Sequence, residues 1–293
     1  MLIALLLALQ EPVIQRYAAV AVASSDGIYL LGGSEMKSHE QVTQVDVFNP
    51  QTGGWRQSVP LEIGRDFAAA TRGIRRDIVF AGGLNAEMQT TGRVDFFNLD
   101  DGRWLESSTL PVPVSRASAV RRGLSLIVTG GIEMRGEMSV NSQAVQQCDA
   151  FSKWSRGPDL PYGVHGHTTT VIGSTIYVVA GAKGEMSDAS TDVLALNEGD
   201  KAWRPVGQLP TPRMFHGTVA YKGALYIFGN RGPSLHPTKF DPRTCTATDL
   251  KCEDIDNHRF ACAQYGDKVY FFGGEGPDTR DRVFDLAKET WIR

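Results

Sequence analysis

The chain has 293 residues, 42% of them apolar and 22% charged, the composition of an ordinary soluble globular protein. A formal net charge of −3 excludes the broad basic surface that nucleic acid or an anionic membrane would attract. The one long apolar run, Leu2 to Leu9, is far shorter than the ~20 residues a helix needs to cross a bilayer.

Residues 1–11 read in one of two ways, as a short secretory signal or as an N-terminal strand. No Lys or Arg precedes the apolar run and no A-x-A site follows it. The first reading implies export to a periplasm or the exterior, and the second a cytoplasmic protein. As a strand, residues 3–8 are placed to cover an open sheet edge.

Residues 12–293 are organised by a repeat. An apolar strand ends in a pair of small residues six times: Tyr29 to Gly33, Val79 to Gly83, Ile127 to Gly131, Tyr177 to Gly181, Tyr226 to Asn230 and Tyr270 to Gly274. The pairs recur at intervals of 50, 48, 50, 49 and 44 residues. After each pair comes a strand closed by Asn or Asp, at Asn49, Asn98, Asp149, Asn197, Asp241 and Asp285. A Trp follows five or six residues later at Trp55, Trp104, Trp154, Trp203 and Trp291, while the fifth repeat has Ala247 there. Before each pair lies one more strand, rich in Ala, Thr and Gly, and a turn such as Asp26-Gly27 or Lys222-Gly223. Each unit thus predicts four antiparallel strands, a to d, joined by short a–b and c–d turns. A sheet this small buries both faces only by stacking on its neighbours, so six units predict an all-β, six-bladed β-propeller with the small-residue strand a innermost.

The glycine pair, the aromatic before an acidic or amide residue, and the spaced Trp resemble the kelch motif, over Arg16 to Arg293. The resemblance implies a kelch-like propeller, a fold that commonly binds proteins through its loops. Departures are Ala180 and Asn230 within the small pairs and Ala247 in place of Trp. Asn tolerates left-handed backbone better than most residues, so Asn230 is a mild change. Ala247 predicts a fifth blade with looser packing. The repeats run a to d from first to last, so no exchange of strands between the chain ends is required.

Antiparallel order places the b–c and d–a loops on one face, the face where binding residues gather on a rigid scaffold. The b–c loops shorten in blades 5 and 6, giving a lower rim there. Four of the longer ones carry Glu-Met steps, at Glu35-Met36, Glu87-Met88, Glu133-Met134 with Glu137-Met138, and Glu185-Met186. Where d–a loops enter strand a, basic residues recur: Arg16, Arg65, Arg116, His165, His167, Arg213, His216, His258 and Arg259. They read either as loop ties or as an anion site at the channel mouth, since Arg presents a planar fork to carboxylates. The site is expected nearer the low rim of blades 5 and 6.

Cys148, Cys245, Cys252 and Cys262 form no C-x-x-C pattern, which removes zinc and thioredoxin-like chemistry, and leaves one disulfide among the last three open. The loop from Glu253 to His258 lacks the length and glycine of an EF-hand and reads as solvated, so no metal and no cofactor are expected. No G-x-S-x-G, H-E-x-x-H or phosphate-cradling loop occurs. Two functions follow. The first is a monomeric, non-enzymatic binding module that offers a loop face and basic mouth to a protein or anionic ligand. The second is a carbohydrate-active enzyme of the kind some exported kelch-like proteins resemble, the sialic acid mutarotases, with His167 and His216 as a proton-moving pair.

Overall fold

The computed structural model describes residues 15–149, 153–184 and 188–292. The apolar run at residues 2–9, the strand expected at 3–8 and the Glu185-Met186 step lie outside them. All regular structure among the described residues is strand: six four-stranded antiparallel sheets each ordered a-b-c-d, and two two-stranded pairs, Arg16–Tyr17 with Ser34–Glu35 and Ile132–Arg135 with Met138–Asn141.

Blade 1 comprises Val20–Ser24, Gly27–Leu31, Asp46–Phe48 and Trp55–Gln57. Blade 2 runs Ala69–Arg72, Asp77–Ala81, Arg93–Asn98 and Arg103–Thr109. Blade 3 runs Ser118–Arg122, Ser125–Thr129, Val145–Asp149 and Ser155–Arg156. Blade 4 runs Thr168–Ile172, Thr175–Val179, Ser190–Leu196 and Arg204–Arg213. Blade 5 has Gly217–Tyr221, Ala224–Phe228, Thr238–Asp241 and Thr246–Asp249. Blade 6 has Ala261–Tyr265, Lys268–Phe272, Arg282–Asp285 and Thr290–Ile292. Every blade is completed by consecutive sequence, as the repeat requires.

Strand b is the buried centre of each sheet. Ile28, Leu30 and Leu31 in blade 1, and Ile78 and Phe80 in blade 2, lose all contact with water. The apolar clusters lie between blades. Phe80 and Ile78 of blade 2 pack on Val22, Leu31 and Val47 of blade 1, and Phe271 and Phe284 of blade 6 pack on Phe228 of blade 5. The seam between blade 6 and blade 1 is closed by Phe48, Trp55, Tyr270 and Phe272, with Phe48 and Trp55 at 5.5 and 5.2 Å from the Phe272 ring.

The small-residue pairs bring neighbouring blades together at backbone distance. The amide of the second residue donates to a carbonyl of the next blade's d–a junction: Gly33 to Arg65 at 2.9 Å, Gly83 to Val114 at 2.9 Å, Gly131 to Val164 at 2.8 Å, Gly181 to Arg213 at 2.8 Å, Asn230 to Asn257 at 3.2 Å and Gly274 to Arg16 at 2.9 Å. Glycine is needed at position 33, where φ is 82° and an added Cβ would stand 2.8 Å from the Ala19 Cβ and 2.6 Å from the Tyr17 carbonyl oxygen. Asn230 is not left-handed, unlike Ala180 (φ 52°). Its Oδ1 instead accepts from the Met214 amide at 3.1 Å.

The fifth blade is not loosely packed at Ala247, because Val206 and Leu209 from the ten-residue strand d of blade 4 cover Phe240 and Ala247. The open question of a disulfide closes with all four cysteines as free thiols.

Candidate functional site

Each d–a junction is a four-residue step into strand a. The steps are Arg16-Tyr17-Ala18-Ala19, Arg65-Asp66-Phe67-Ala68, Val114-Ser115-Arg116-Ala117, Val164-His165-Gly166-His167, Arg213-Met214-Phe215-His216 and Asn257-His258-Arg259-Phe260. The third residue is left-handed in every blade: Ala18 (φ 53°), Phe67 (50°), Arg116 (55°), Gly166 (59°), Phe215 (53°) and Arg259 (53°). For a residue with a side chain this backbone is strained. A closed hydrogen-bond cycle holds it in place. The amide of Ala18 donates to Arg259, Arg259 to Phe215, Phe215 to Gly166, Gly166 to Arg116, Arg116 to Phe67 and Phe67 to Ala18, at 2.7–3.1 Å. The cycle sits at the channel mouth, on the b–c and d–a face.

The nine basic residues singled out in the sequence fall on all four places of the step. The first place anchors a junction to its own blade. Arg16 donates to the Gly32 carbonyl at 3.3 Å and pairs with Asp46. Arg65 donates to the Phe80 carbonyl at 3.2 Å and to Asp95 at 2.6 Å. Arg213 donates to the carbonyls of Gly229 and His236 and to Thr238 Oγ1, at 3.0, 2.6 and 2.7 Å. Asn257 does the same work in blade 6, donating to the Gly273 carbonyl at 2.8 Å. These three arginines are buried ties and do not converge on the mouth.

The second place is mostly buried, with Asp66, Ser115, His165 and Met214 all closed to water. His165 is 1% exposed, and its Nδ1 lies 2.7 Å from Asn141 Oδ1. Asn141 Nδ2 donates to the carbonyls of Ala182 and Gly184, which orients the amide and makes His165 Nδ1 the protonated nitrogen. Burial, then the charges of Arg116, Arg231 and Arg259, push the His165 pKa down to about 4. His258 lies 3.4 Å from Glu275, and burial lowers its pKa too.

The fourth place points inside. His167 Nε2 meets Thr129 Oγ1 at 2.9 Å and His216 Nε2 meets Thr168 Oγ1 at 3.0 Å. Burial pushes both pKa values down to about 3, so both are neutral. With Phe67, Arg116 and Arg259 they line a chamber of about 130 Å³ beneath the cycle.

The third place forms the mouth. Phe67 and Phe215 stand on opposite members of the six-residue cycle, yet their ring centroids are 6.1 Å apart, so they span the opening. Guanidinium groups cover them: Arg116 lies 4.8 Å from the Phe67 centroid, and Arg259 lies 5.1 Å from Phe67 and 4.8 Å from Phe215. Arg231, from the b–c loop of blade 5, lies 6.0 Å from Phe215. Glu275 pairs with Arg259 at 2.5 Å. Burial raises the pKa of Asp66, against the pull of its bond from Ser34 Oγ at 2.9 Å and of Arg116 and Arg259.

Outside this cover opens a cavity of about 760 Å³, bounded by Tyr17, His39, Gln41, Asp66, Phe67, Met88, Arg116 and Arg259. It lies over blades 1 and 2, not over the low rim of blades 5 and 6. Its wall is tied together, since Gln41 Nε2 donates to the carbonyls of Leu84 and Asn85 at 2.8 Å. The sequence reading missed Phe67, Phe215 and Arg231. The two phenylalanines were within reach, because both stand at the Arg116 and Arg259 place of the repeat. Neither carries the charge that marks the recurrence.

The model of the KLHDC2/KLHL20/DRC7 Kelch-repeats domain matches residues 16–230. Among curated proteins, the Kelch-like protein terF of Aspergillus terreus is 26% identical over 233 residues, 70% of this chain and 50% of that protein. The human Kelch domain-containing protein 3 is 23% identical over 310 residues, 92% of this chain and 80% of its own length. Kelch-like protein 40 of Xenopus laevis is 29% identical over 130 residues, 43% of this chain and 20% of that protein. The chain thus spans half of one relative, most of another and a fifth of the third. Six blades punctuated by small-residue pairs, and a family match over most of the ring, make this chain a member of the Kelch-repeat family.

Proposed function

We propose that this chain is a non-enzymatic binding module whose b–c and d–a face receives a protein ligand, with an anionic group of that ligand seated at the basic mouth. Kelch-repeat proteins typically bind proteins. The observation that carries the finer reading is the pair Arg116 and Arg259, fixed on Phe67 and Phe215 at the edge of a cavity of about 760 Å³. Stacked guanidinium groups keep their forks directed at an incoming anion.

The test is a peptide array at neutral pH, followed by affinity measurements on the full chain. Acidic peptides are expected to bind, and Arg116→Ala with Arg259→Ala to abolish that binding in a folded protein. Undiminished binding by the double variant would sink the reading. In the same reading the protein works as a monomer. It is exported if residues 1–10 act as a signal and cytoplasmic otherwise, which mass spectrometry of the native N-terminus decides. The mutarotase alternative has no support. Its two histidines are held neutral against threonine hydroxyls, with pKa values about 3, far from the range an acid–base pair needs.

A further inference from the structure

We propose that the anionic group taken at this mouth is a phosphoryl group on a side chain of the protein ligand, in preference to a carboxylate. The inference rests on the binding reading above and concerns the same site. Three guanidinium groups are arrayed about one aromatic pair, Arg116 on Phe67, Arg231 on Phe215, and Arg259 on both. A planar carboxylate has two oxygens and one charge, and one fork satisfies it. A phosphoryl group has three terminal oxygens and close to two charges at neutral pH, and suits several forks approaching from different sides.

Glu275 is in contact with Arg259, and Asp66 lies near Arg116 and Arg259, with burial raising its pKa. Burial lowers the Arg116 pKa, and the neighbouring charges of Arg259 and Arg231 lower it further while Asp66 opposes them. A second observation marks a place for a ligand. His165 is buried at the edge of this cluster, against Phe215 at 5.8 Å, and its Nε2 has no hydrogen-bond partner among the described residues. With Nδ1 donating to Asn141, Nε2 carries the lone pair, and protonation would turn it into a donor toward an anion. The groups facing it are Arg116, Arg231 and Arg259, which oppose that proton. A dianion among them would favour it.

The test compares two small probes on the full chain at pH 7, N-acetyl-phosphoserine methylamide and N-acetyl-aspartate methylamide. NMR of the histidine ring protons reads the site directly. The phosphoserine probe is expected to bind at least about tenfold more tightly and to raise the His165 pKa, with the aspartate probe moving it less. Arg231→Gln should shrink the preference, and Arg231→Lys, which keeps charge but loses the fork, should restore part of it. Equal affinity of the two probes overturns the phosphoryl assignment and leaves the binding module standing. Phosphoserine binding that ignores both Arg231→Gln and Arg116→Gln also overturns it, since the anion then sits elsewhere. If neither probe binds and acidic peptides fail as well, both readings fall.

Discussion

At the scale of single residues, chemical type proved a poorer guide than position within the four-residue step. Arg213 and Arg116 look alike in the sequence, yet one is 1% exposed and donates to three acceptors inside blade 5, while the other is half-buried on Phe67. Arg213→Ala is therefore expected to cost about 2–4 kcal/mol in chemical denaturation, because it strands buried carbonyls. Arg116→Ala should cost under ~1 kcal/mol and act on binding instead. Histidine burial sets an acid limit. The folded pKa values of His167 and His216 are about 3, against 6.5 for a free side chain. The unfolded chain thus takes up protons below pH 6.5 that the native one refuses. Stability should be full above that pH and fall toward pH 3, by roughly 1.4 kcal/mol per pH unit for each histidine. Asp281, raised by burial from 3.8 to about 7, works in the opposite direction between those values. Denaturant midpoints from pH 7 to pH 4 should decline, and His167→Gln with His216→Gln should flatten the decline. A flat wild-type profile would contradict the burial of these rings. The sequence placed both histidines in matching repeats, but their Thr129 and Thr168 partners come from other strands and carry no local signal.

At the scale of elements, four tryptophans at or just before strand d staple blades 2, 3, 4 and 6 to the blade before. Trp104 Nε1 donates to the Val59 carbonyl at 3.2 Å, Trp154 to Ser108 Oγ at 3.0 Å, Trp203 to the Pro158 carbonyl at 2.9 Å and Trp291 to the Glu253 carbonyl at 2.9 Å. Trp291 is 8% exposed among Phe228, Phe271 and Phe284, so Trp291→Ala should cost about 3–5 kcal/mol. Trp104 is half-buried, and its loss should cost less. A larger effect at Trp104 than at Trp291 in thermal unfolding would reverse this ordering. The missing fifth Trp was visible in the sequence, and what replaces it was not. Strand d of blade 4 contains Pro205, Pro210 and Pro212, which argue against a strand, but an edge strand tolerates proline and this one bulges along Ser190–Leu196. It also brings Gly207 so near Phe240 that an added Cβ would lie 2.6 Å from the ring. Ala247→Trp should therefore destabilise by about 1–3 kcal/mol through overpacking, where an empty slot would predict a gain.

At the scale of the whole molecule, blade number and the local completion of each blade were legible because they are written in spacing. The depth and contents of the mouth were not, because it is assembled from residues about fifty positions apart whose directions depend on ring closure. That closure has one seam without a covalent link between consecutive blades, where blade 6 meets blade 1. Aromatic packing of Phe48, Trp55 and Phe272 seals it, along with the bonds from Ala18 to Arg259 and from Gly274 to Arg16. Phe272→Ala should lower stability by about 3–5 kcal/mol. Hydrogen exchange should rise first in blades 1 and 6, and uniform acceleration across all six would show that the seam has no separate opening.

The cycle of left-handed residues has a consequence for how such a mouth can diversify. Its six bonds use only main-chain atoms, so the side chains at Ala18, Phe67, Arg116, Gly166, Phe215 and Arg259 take no part in holding the circle shut. Architecture and recognition are thus assigned to different atoms of the same residue. The six positions behave as a hexagonal keyboard. Residues that tolerate this backbone can occupy a key, with proline and the β-branched residues as the poorest choices, but Gly166 is reserved for glycine, since an added Cβ would stand 3.1 Å from the Phe215 ring. A library varied at the other five positions with residues that tolerate positive φ should retain folded propellers while ligand preference drifts among its members.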